Sequence, residues 1–158
     1  MKYHIHMSEN SADEIIPNLW LGNSMSALNW VFVCKNKIQY IVNITNDVPC
    51  IFNCVKYLQW AIRDQDICGK CLDLVEIIDR IVDFIHYGLR QNMGVLVHCK
   101  EGHHRSASMI MAYLIKYHSF SYHQSRQYIR SKRPSALKRT TCVMDGVQSY
   151  YLLKRSRV

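Results

Sequence analysis

The segment from Cys99 to Arg105 combines a cysteine, a glycine and an arginine at a spacing suited to anion chemistry. An apolar run precedes this segment and an apolar helical pattern follows it, so a strand, a loop and a helix are predicted in that order. Backbone N–H groups of such a loop and of the helix N-terminus converge on one point, where the helix dipole adds roughly half a positive charge. The sequence therefore predicts a cradle for an anion such as phosphate.

Cys99 is the candidate nucleophile of this segment, which we call the Cys99 loop. A positive field stabilises a thiolate and can lower a cysteine pKa from about 8.5 to between about 3.5 and 7.5. Arg105 can present a planar fork to two phosphate oxygens, which lysine cannot do. Gly102 is expected where the chain turns sharply and comes close to the ligand. The alternative interpretation of Cys99 is a buried structural thiol.

The string HCKEGHHRS at residues 98–106 resembles the signature of the protein tyrosine phosphatase superfamily, which is His-Cys, five residues, Arg and then Ser or Thr. Four further strings, IIPNLWLGN, YIVNITND, YLQWAIRDQD and IRSKRPSA, are similar in order and spacing to its dual-specificity branch. The resemblance covers roughly residues 13–155. It implies a cysteine-dependent enzyme that hydrolyses phosphotyrosine and phosphoserine or phosphothreonine in proteins through a phosphocysteine, with no metal or other cofactor.

The resemblance also implies roles for individual residues. Asp64 matches the aspartate that protonates the leaving oxygen and later activates water; Asp66 is the second candidate, and a turn or helix cap is the alternative for Asp64. Ser106 matches the hydroxyl that stabilises the departing thiolate, and His98 is expected to orient the loop. The phosphate is expected to be surrounded by Lys100, Glu101, Gly102, His103, His104 and Arg105.

Two features depart from the usual loop of this branch. Glu101 replaces a small residue, and we expect its carboxylate to point outward because an inward one would repel phosphate. His103 and His104 replace small or polar residues, and their protonation below about pH 6.5 would strengthen substrate binding. The alternative is that both histidines are merely solvated.

Positive charge is concentrated towards the C-terminus. The chain has a formal net charge of +8, and from Arg126 onward it contains nine basic residues and one acidic residue. This pattern favours an anionic partner, either an acidic substrate docked on the basic face or a nucleic acid, although a solvated surface explains it equally well. Lys100 resembles the lysine of phosphoinositide phosphatases. Phosphatase action on RNA 5′ ends or phosphoinositides stays open, as does a non-catalytic phosphoprotein-binding module, which Glu101 would suit.

Seven cysteines without a dense framework favour reduced thiols. Cys68 and Cys71 form a CxxC, and Cys50 and Cys54 are four positions apart, so zinc is one alternative. Another is a disulfide between oxidised Cys99 and Cys68 or Cys71. The N-terminus lacks the apolar run of a targeting signal, and no segment approaches the roughly 18 apolar residues of a membrane span. We therefore expect a soluble cytoplasmic protein, for which nuclear entry is possible.

The remaining patterns predict the elements that hold the loop. Strands are predicted at 40–44, 55–62 and 94–98, with an edge strand at 15–21 that Pro17 interrupts. Helices are predicted at 24–34, from about 70 to 88, and at 107–115, 122–133 and 140–154, the last capped by Thr140 or Thr141. These elements predict one α/β domain at 13–158 after a polar tail at 1–12, with a mixed, mostly parallel sheet flanked by helices. The resemblance implies the phosphotyrosine protein phosphatase-like fold. The oligomeric state stays open.

Overall fold

The computed structural model describes residues 10–62 and 71–157, apart from the side chains of 71–73. Asp64, Asp66 and Cys68, together with the side chain of Cys71, lie outside the described residues. The predicted general acid, the predicted CxxC and most of the predicted tail at 1–12 are therefore outside them, and the division at residue 13 stays a prediction.

Strands and helices alternate along the described chain. The strands are β1 (Ala12–Ile16), β2 (Leu19–Gly22), β3 (Ile38–Asn43), β4 (Lys56–Gln59) and β5 (Gly94–His98). The helices are α1 (Ser24–Ala27), α2 (Trp30–Lys35), α3 (Cys71–Arg90), α4 (Arg105–His118), α5 (Tyr122–Lys132) and α6 (Cys142–Arg155). The strands form one sheet in the order β1-β2-β5-β3-β4, in which only the β1–β2 pair is antiparallel. The predicted mixed, mostly parallel sheet is confirmed.

The predicted edge strand at 15–21 is two strands rather than one. A turn reverses the chain at Pro17 and Asn18, where Asn18 adopts a φ of 67° and its N–H donates to the Glu14 carboxylate over 2.8 Å. Asparagine tolerates this left-handed conformation better than most residues. As a result, β1 is the edge strand of this pair, while β2 lies inside the sheet and pairs with the central strand β5.

The predicted helix at 24–34 is also divided. Asn29 has extended backbone angles, and its side chain accepts a hydrogen bond from the Phe32 amide over 3.1 Å, so it caps the start of a second helix, α2. Of the two residues predicted to cap the last helix, Thr141 is the one that does so, accepting from the Met144 amide over 3.4 Å.

Apolar side chains pack on both faces of the sheet. Tyr40 and Val42 of β3 belong to a large core with α3, α4 and α6, whereas Ile41, between them, belongs to a smaller core with α1 and α2. Leu96 of β5 alternates with Val95 and Val97 in the same way. Helices therefore cover both faces, as the nearly continuous apolar runs of β3 and β5 indicate.

A polar cross-link joins three helices on the large-core side. Asp79 of α3 accepts hydrogen bonds from Tyr150 (2.7 Å) and Lys154 (3.0 Å) of α6 and from Lys116 (3.1 Å) of α4. Partial burial acts to raise the pKa of Asp79, but these hydrogen bonds outweigh burial and hold that pKa below its ordinary value. The cross-link restrains α4, the helix that begins at Arg105.

Cys142 is disulfide-bonded, whereas Cys34, Cys50, Cys54 and Cys99 are free. The expectation that all the thiols are reduced is therefore wrong for Cys142, because the spacing of cysteines along a chain does not show which of them meet in space. In the ranges 10–62 and 71–157, no helix is long and apolar enough to cross a bilayer.

Candidate active site

The Cys99 loop leaves the centre of the sheet. Strand β5 is buried at every position, lies between β2 and β3 and runs parallel to both, so the loop emerges where three parallel strands end. Helix α4 begins at Arg105, immediately after the loop. The predicted strand, loop and helix are thus observed. The loop lies at the carboxyl ends of the parallel strands, where α/β proteins bind their ligands.

The carbonyl groups of the loop are turned away from its interior. All five residues between Cys99 and Arg105 have carbonyl oxygens that accept hydrogen bonds from donors outside the loop. The donors are the Ser24 amide for Lys100 (3.0 Å), Arg133 for Glu101 (3.4 Å) and Gly102 (2.9 Å), the Leu137 amide for His103 (2.8 Å) and the Ser108 amide for His104 (2.8 Å). Because C=O and N–H point in opposite directions in a trans peptide, this arrangement leaves the loop N–H groups facing inward. An anion is the ligand that such a ring of N–H groups favours.

Gly102 allows the loop to lie directly against the end of β2. Its φ is +71°, and a Cβ added there would lie 2.6 Å from the Gly22 carbonyl oxygen. A larger residue would therefore be strained and would also collide with backbone. The Gly102 amide donates to the Cys99 sulfur over 3.3 Å.

Cys99 is a buried residue that lines a small cavity. Only 3% of the residue is exposed, and the Ser106 hydroxyl lies 3.1 Å from the sulfur. The cavity has a volume of about 280 Å³ and is lined by Cys99, Glu101, His103, His104, Arg105 and Arg139. Cys99 also packs in the large apolar core, but its sulfur is contacted by two polar groups and the residue borders this cavity.

Arg105 is held at one side of this cavity. Its Nη1 donates to the carbonyl oxygens of Ile44 (3.3 Å) and Ile62 (3.1 Å), which follow β3 and β4 respectively. The side chain also lines the cavity. Two backbone acceptors therefore orient the guanidinium at the cavity that Cys99 also lines, where its planar fork suits a phosphate.

The charged side chains of the loop differ in position. Glu101 is exposed and borders the cavity, so water screens its carboxylate from a bound anion. His103 and His104 are partly buried and line the cavity. Lys100 is exposed and is not among the described residues that line it. Both histidines of the loop therefore line the cavity, whereas its lysine is not among the described lining residues.

His98 is buried beneath the loop with 1% of its surface exposed. Its Nδ1 lies 3.4 Å from the Cys99 carbonyl oxygen, and since a carbonyl only accepts, this hydrogen bond requires the tautomer with the proton on Nδ1. Burial lowers the pKa of His98 to about 4, although the hydrogen bond to Cys99 opposes this shift. His98 is consequently neutral at pH 7, which suits the predicted orienting role rather than proton transfer.

This burial predicts a pH-dependent loss of stability. An unfolded histidine has a pKa near 6.5, so between about pH 6.5 and pH 4 the unfolded chain binds a proton that folded His98 does not. The contribution of neutral His98 to the free energy of unfolding is fully present above pH 6.5 and is lost as the pH falls towards 4. We expect a loss of about 2 kcal/mol between pH 7 and pH 5. Urea unfolding at both pH values measures it.

The variant His98→Gln removes the titrating group and should reduce that difference in unfolding free energy by the same amount. His123→Gln is the matched control, because His123 is exposed. Equal pH dependence in the wild type and both variants would show that His98 has an ordinary titration in the folded protein.

Two arginines at the site are not evident from the sequence. Arg139 lines the cavity, and Arg133 is 1% exposed and donates to the loop carbonyls. Both belong to the nine basic residues from Arg126 onward, which the sequence analysis interprets as one basic face. Arg133 is not on that surface, because its guanidinium is enclosed by backbone oxygens and the Asp13 carboxylate. The only signal in the sequence is its place in the string IRSKRPSA.

The model of the dual specificity phosphatase catalytic domain matches residues 19–145. The chain belongs to this family. Human dual specificity protein phosphatase 21 is 33% identical over 126 residues, which cover 78% of this chain and 64% of that protein. This member of the dual specificity phosphatase family thus spans less than two thirds of that relative. The resemblance predicted from the Cys99 loop and its flanking strings is confirmed.

Two solved structures of other proteins have the same fold as this chain. The crystal structure of human DUSP28 superposes with a TM-score of 0.83 at 22% identity, covering 92% of this chain and 96% of that one. The structure of a mouse putative dual specificity phosphatase complexed with zinc tungstate has a TM-score of 0.81 at 22% identity, covering 96% and 92%. The predicted phosphatase fold is confirmed.

Proposed function

We propose that this chain is a cysteine-dependent protein phosphatase that hydrolyses phosphotyrosine and phosphoserine or phosphothreonine. The observation that carries the proposal is that Cys99 and Arg105 line one cavity, at the ends of a loop whose carbonyls are turned outward. Membership of the dual specificity phosphatase family supports it. So does the tungstate in the mouse structure, because tungstate is a tetrahedral oxyanion like phosphate.

In the first step, the Cys99 thiolate attacks phosphorus as the bond from phosphorus to the substrate oxygen breaks. The inward N–H groups of the loop and the fork of Arg105 bind the three remaining phosphate oxygens. These donors are already in place before the substrate arrives, since external partners hold the loop carbonyls. Preorganised donors stabilise charge in the transition state without reorganisation. The product of this step is a phosphocysteine and a leaving oxygen that needs a proton.

We assign that proton to Asp64, with Asp66 as the alternative. This assignment rests on the resemblance to the dual-specificity branch, in which Asp64 matches the general acid; in the sequence Asp64 is two residues after Ile62, whose carbonyl accepts from Arg105. The same carboxylate then takes a proton from the water that attacks the phosphocysteine. Ser106, whose hydroxyl lies 3.1 Å from the sulfur, donates to the thiolate as it departs.

Comparing substrates tests the proposed function. We expect kcat/KM for phosphotyrosine and phosphothreonine peptides to exceed that for a 5′-triphosphorylated RNA and a phosphoinositide by about tenfold or more. Cys99→Ser is the control for contaminating activity.

Raised ionic strength should slow turnover of a phosphoprotein but not of para-nitrophenyl phosphate if the exposed basic residues dock acidic substrates.

Three outcomes would contradict the proposal. Faster turnover of the RNA or of the phosphoinositide would favour the corresponding alternative substrate. Binding of the phosphopeptides without hydrolysis of any substrate would favour the non-catalytic module.

The proposal also includes a cytoplasmic location. Imaging of the tagged protein in its own host cell tests it.

A further inference from the structure

Arg133 is a charged residue in the interior of the protein. It follows α5, and 1% of its surface is exposed. Its guanidinium donates to the Asp13 carboxylate and to the Asn10 carbonyl oxygen, both over 2.7 Å. It also donates to the carbonyl oxygens of Gly102 (2.9 Å) and Glu101 (3.4 Å). A buried cation is costly unless it is paired and hydrogen-bonded, and these four acceptors meet that need.

One peptide group links this guanidinium to the candidate nucleophile. The carbonyl oxygen of Glu101 accepts from Nη2 of Arg133, and the N–H of the same peptide, which belongs to Gly102, donates to the Cys99 sulfur over 3.3 Å. A cation at the oxygen end of a peptide polarises its N–H end, because hydrogen bonds in a chain strengthen one another. One peptide group thus connects the charge of Arg133 to the Cys99 sulfur.

The next peptide is polarised in the same direction. Nε of Arg133 donates to the Gly102 carbonyl oxygen, and the opposite end of that peptide is the His103 N–H, which belongs to the inward-facing set. Arg133 itself is not among the described residues that line the cavity, so it acts on a bound anion only through these peptides. The Asp13 carboxylate contacts the guanidinium away from the loop, at the first strand of the sheet.

We propose that Arg133 is a positioning residue that holds two loop carbonyls outward and stabilises the anionic form of the Cys99 sulfur through the Glu101–Gly102 peptide. The inference rests on the proposed function in one respect, namely that Cys99 reacts as a thiolate. Arg133 lies outside the cavity, and its charge adds to the positive electrostatic field that the loop N–H groups and the N-terminus of α4 supply.

Alkylation of Cys99 tests this without requiring turnover. The rate of its reaction with iodoacetamide is measured by mass spectrometry of the peptide that carries Cys99, at pH 6 and at pH 9.5, in the wild type and in Arg133→Gln. The ratio of the two rates reports the thiolate population at pH 6, because accessibility affects both rates equally. We expect Arg133→Gln to lower this ratio about tenfold. Arg133→Lys should fall between the two, since lysine keeps the charge but cannot reach both carbonyls.

The other ionisable groups around the sulfur are kept in these variants. Among the residues that the structure describes, the charged or titratable groups lining the cavity are Glu101, His103, His104, Arg105 and Arg139, and buried His98 precedes Cys99 in the chain. None is replaced, so a change in the ratio belongs to Arg133.

Asp13→Asn is the matched control, because it removes the charged partner of Arg133 but leaves the guanidinium on the loop. We expect it to lower the Tm and to keep the alkylation ratio near the wild-type value. An unchanged ratio in Arg133→Gln, or an equal fall in Asp13→Asn, would overturn the inference. If Arg133→Gln does not fold, the ratios of Arg133→Lys and Asp13→Asn decide. A lowered ratio in a protein without phosphatase activity would instead contradict only the proposed function.

Discussion

Replacing Cys99 with serine is expected to reduce kcat by about 10⁴-fold or more while leaving oxyanion binding intact. A serine hydroxyl is a far weaker nucleophile than a thiolate at neutral pH, and no base lies among the described polar contacts of the sulfur to activate it. The outward carbonyls and Arg105 do not depend on the sulfur, so the anion site persists. Turnover of para-nitrophenyl phosphate and calorimetric binding of tungstate measure the two effects.

Arg105→Lys is the comparison variant for this experiment. Lysine retains the charge but loses the planar fork, and it cannot reproduce the contacts with Ile44 and Ile62. We expect it to weaken tungstate binding as well as turnover. If Cys99→Ser retained turnover within about tenfold of the wild type, the nucleophile would have to be another group.

Replacing Asp64 with alanine is expected to reduce kcat by about 10²- to 10³-fold, the usual contribution of a positioned general acid. The loss should be smaller for substrates with good leaving groups, because such oxygens depart without a proton. The descending limb of the pH–kcat profile at high pH, where the acid has lost its proton, should also disappear. Steady-state kinetics on para-nitrophenyl phosphate and on a phosphotyrosine peptide measure these effects.

Asp66→Ala is the matched control, since it removes the same group two positions further along the chain. It should retain the wild-type pH profile. The opposite pattern, a lost limb in Asp66→Ala and a normal one in Asp64→Ala, would move the role of general acid to Asp66.

The sequence by itself determined the reactive segment and most of the elements around it. Cys99, Gly102 and Arg105 are close in the chain, and the strand before them and the helix after them follow from local apolar patterns. Such features are set by neighbouring residues, and so they are readable without coordinates. The parallel sheet followed from alternation of strands and helices. Two predicted elements, the strand at 15–21 and the helix at 24–34, are each divided in the structure. The divisions at Pro17–Asn18 and at Asn29 depend on side-chain hydrogen bonds within single turns, which apolar patterns do not show.

Only the tertiary structure decided how the loop is held open. The Gly102 carbonyl is 31 residues from the arginine that binds it, and that same arginine reaches Asn10, 123 residues away. Charge counts placed Arg133 on a basic surface, and cysteine counts did not indicate the bonded state of Cys142. Hydrophobic periodicity shows which face of an element is buried, but not which backbone oxygens that face meets, because those partners are chosen by the packing of distant segments.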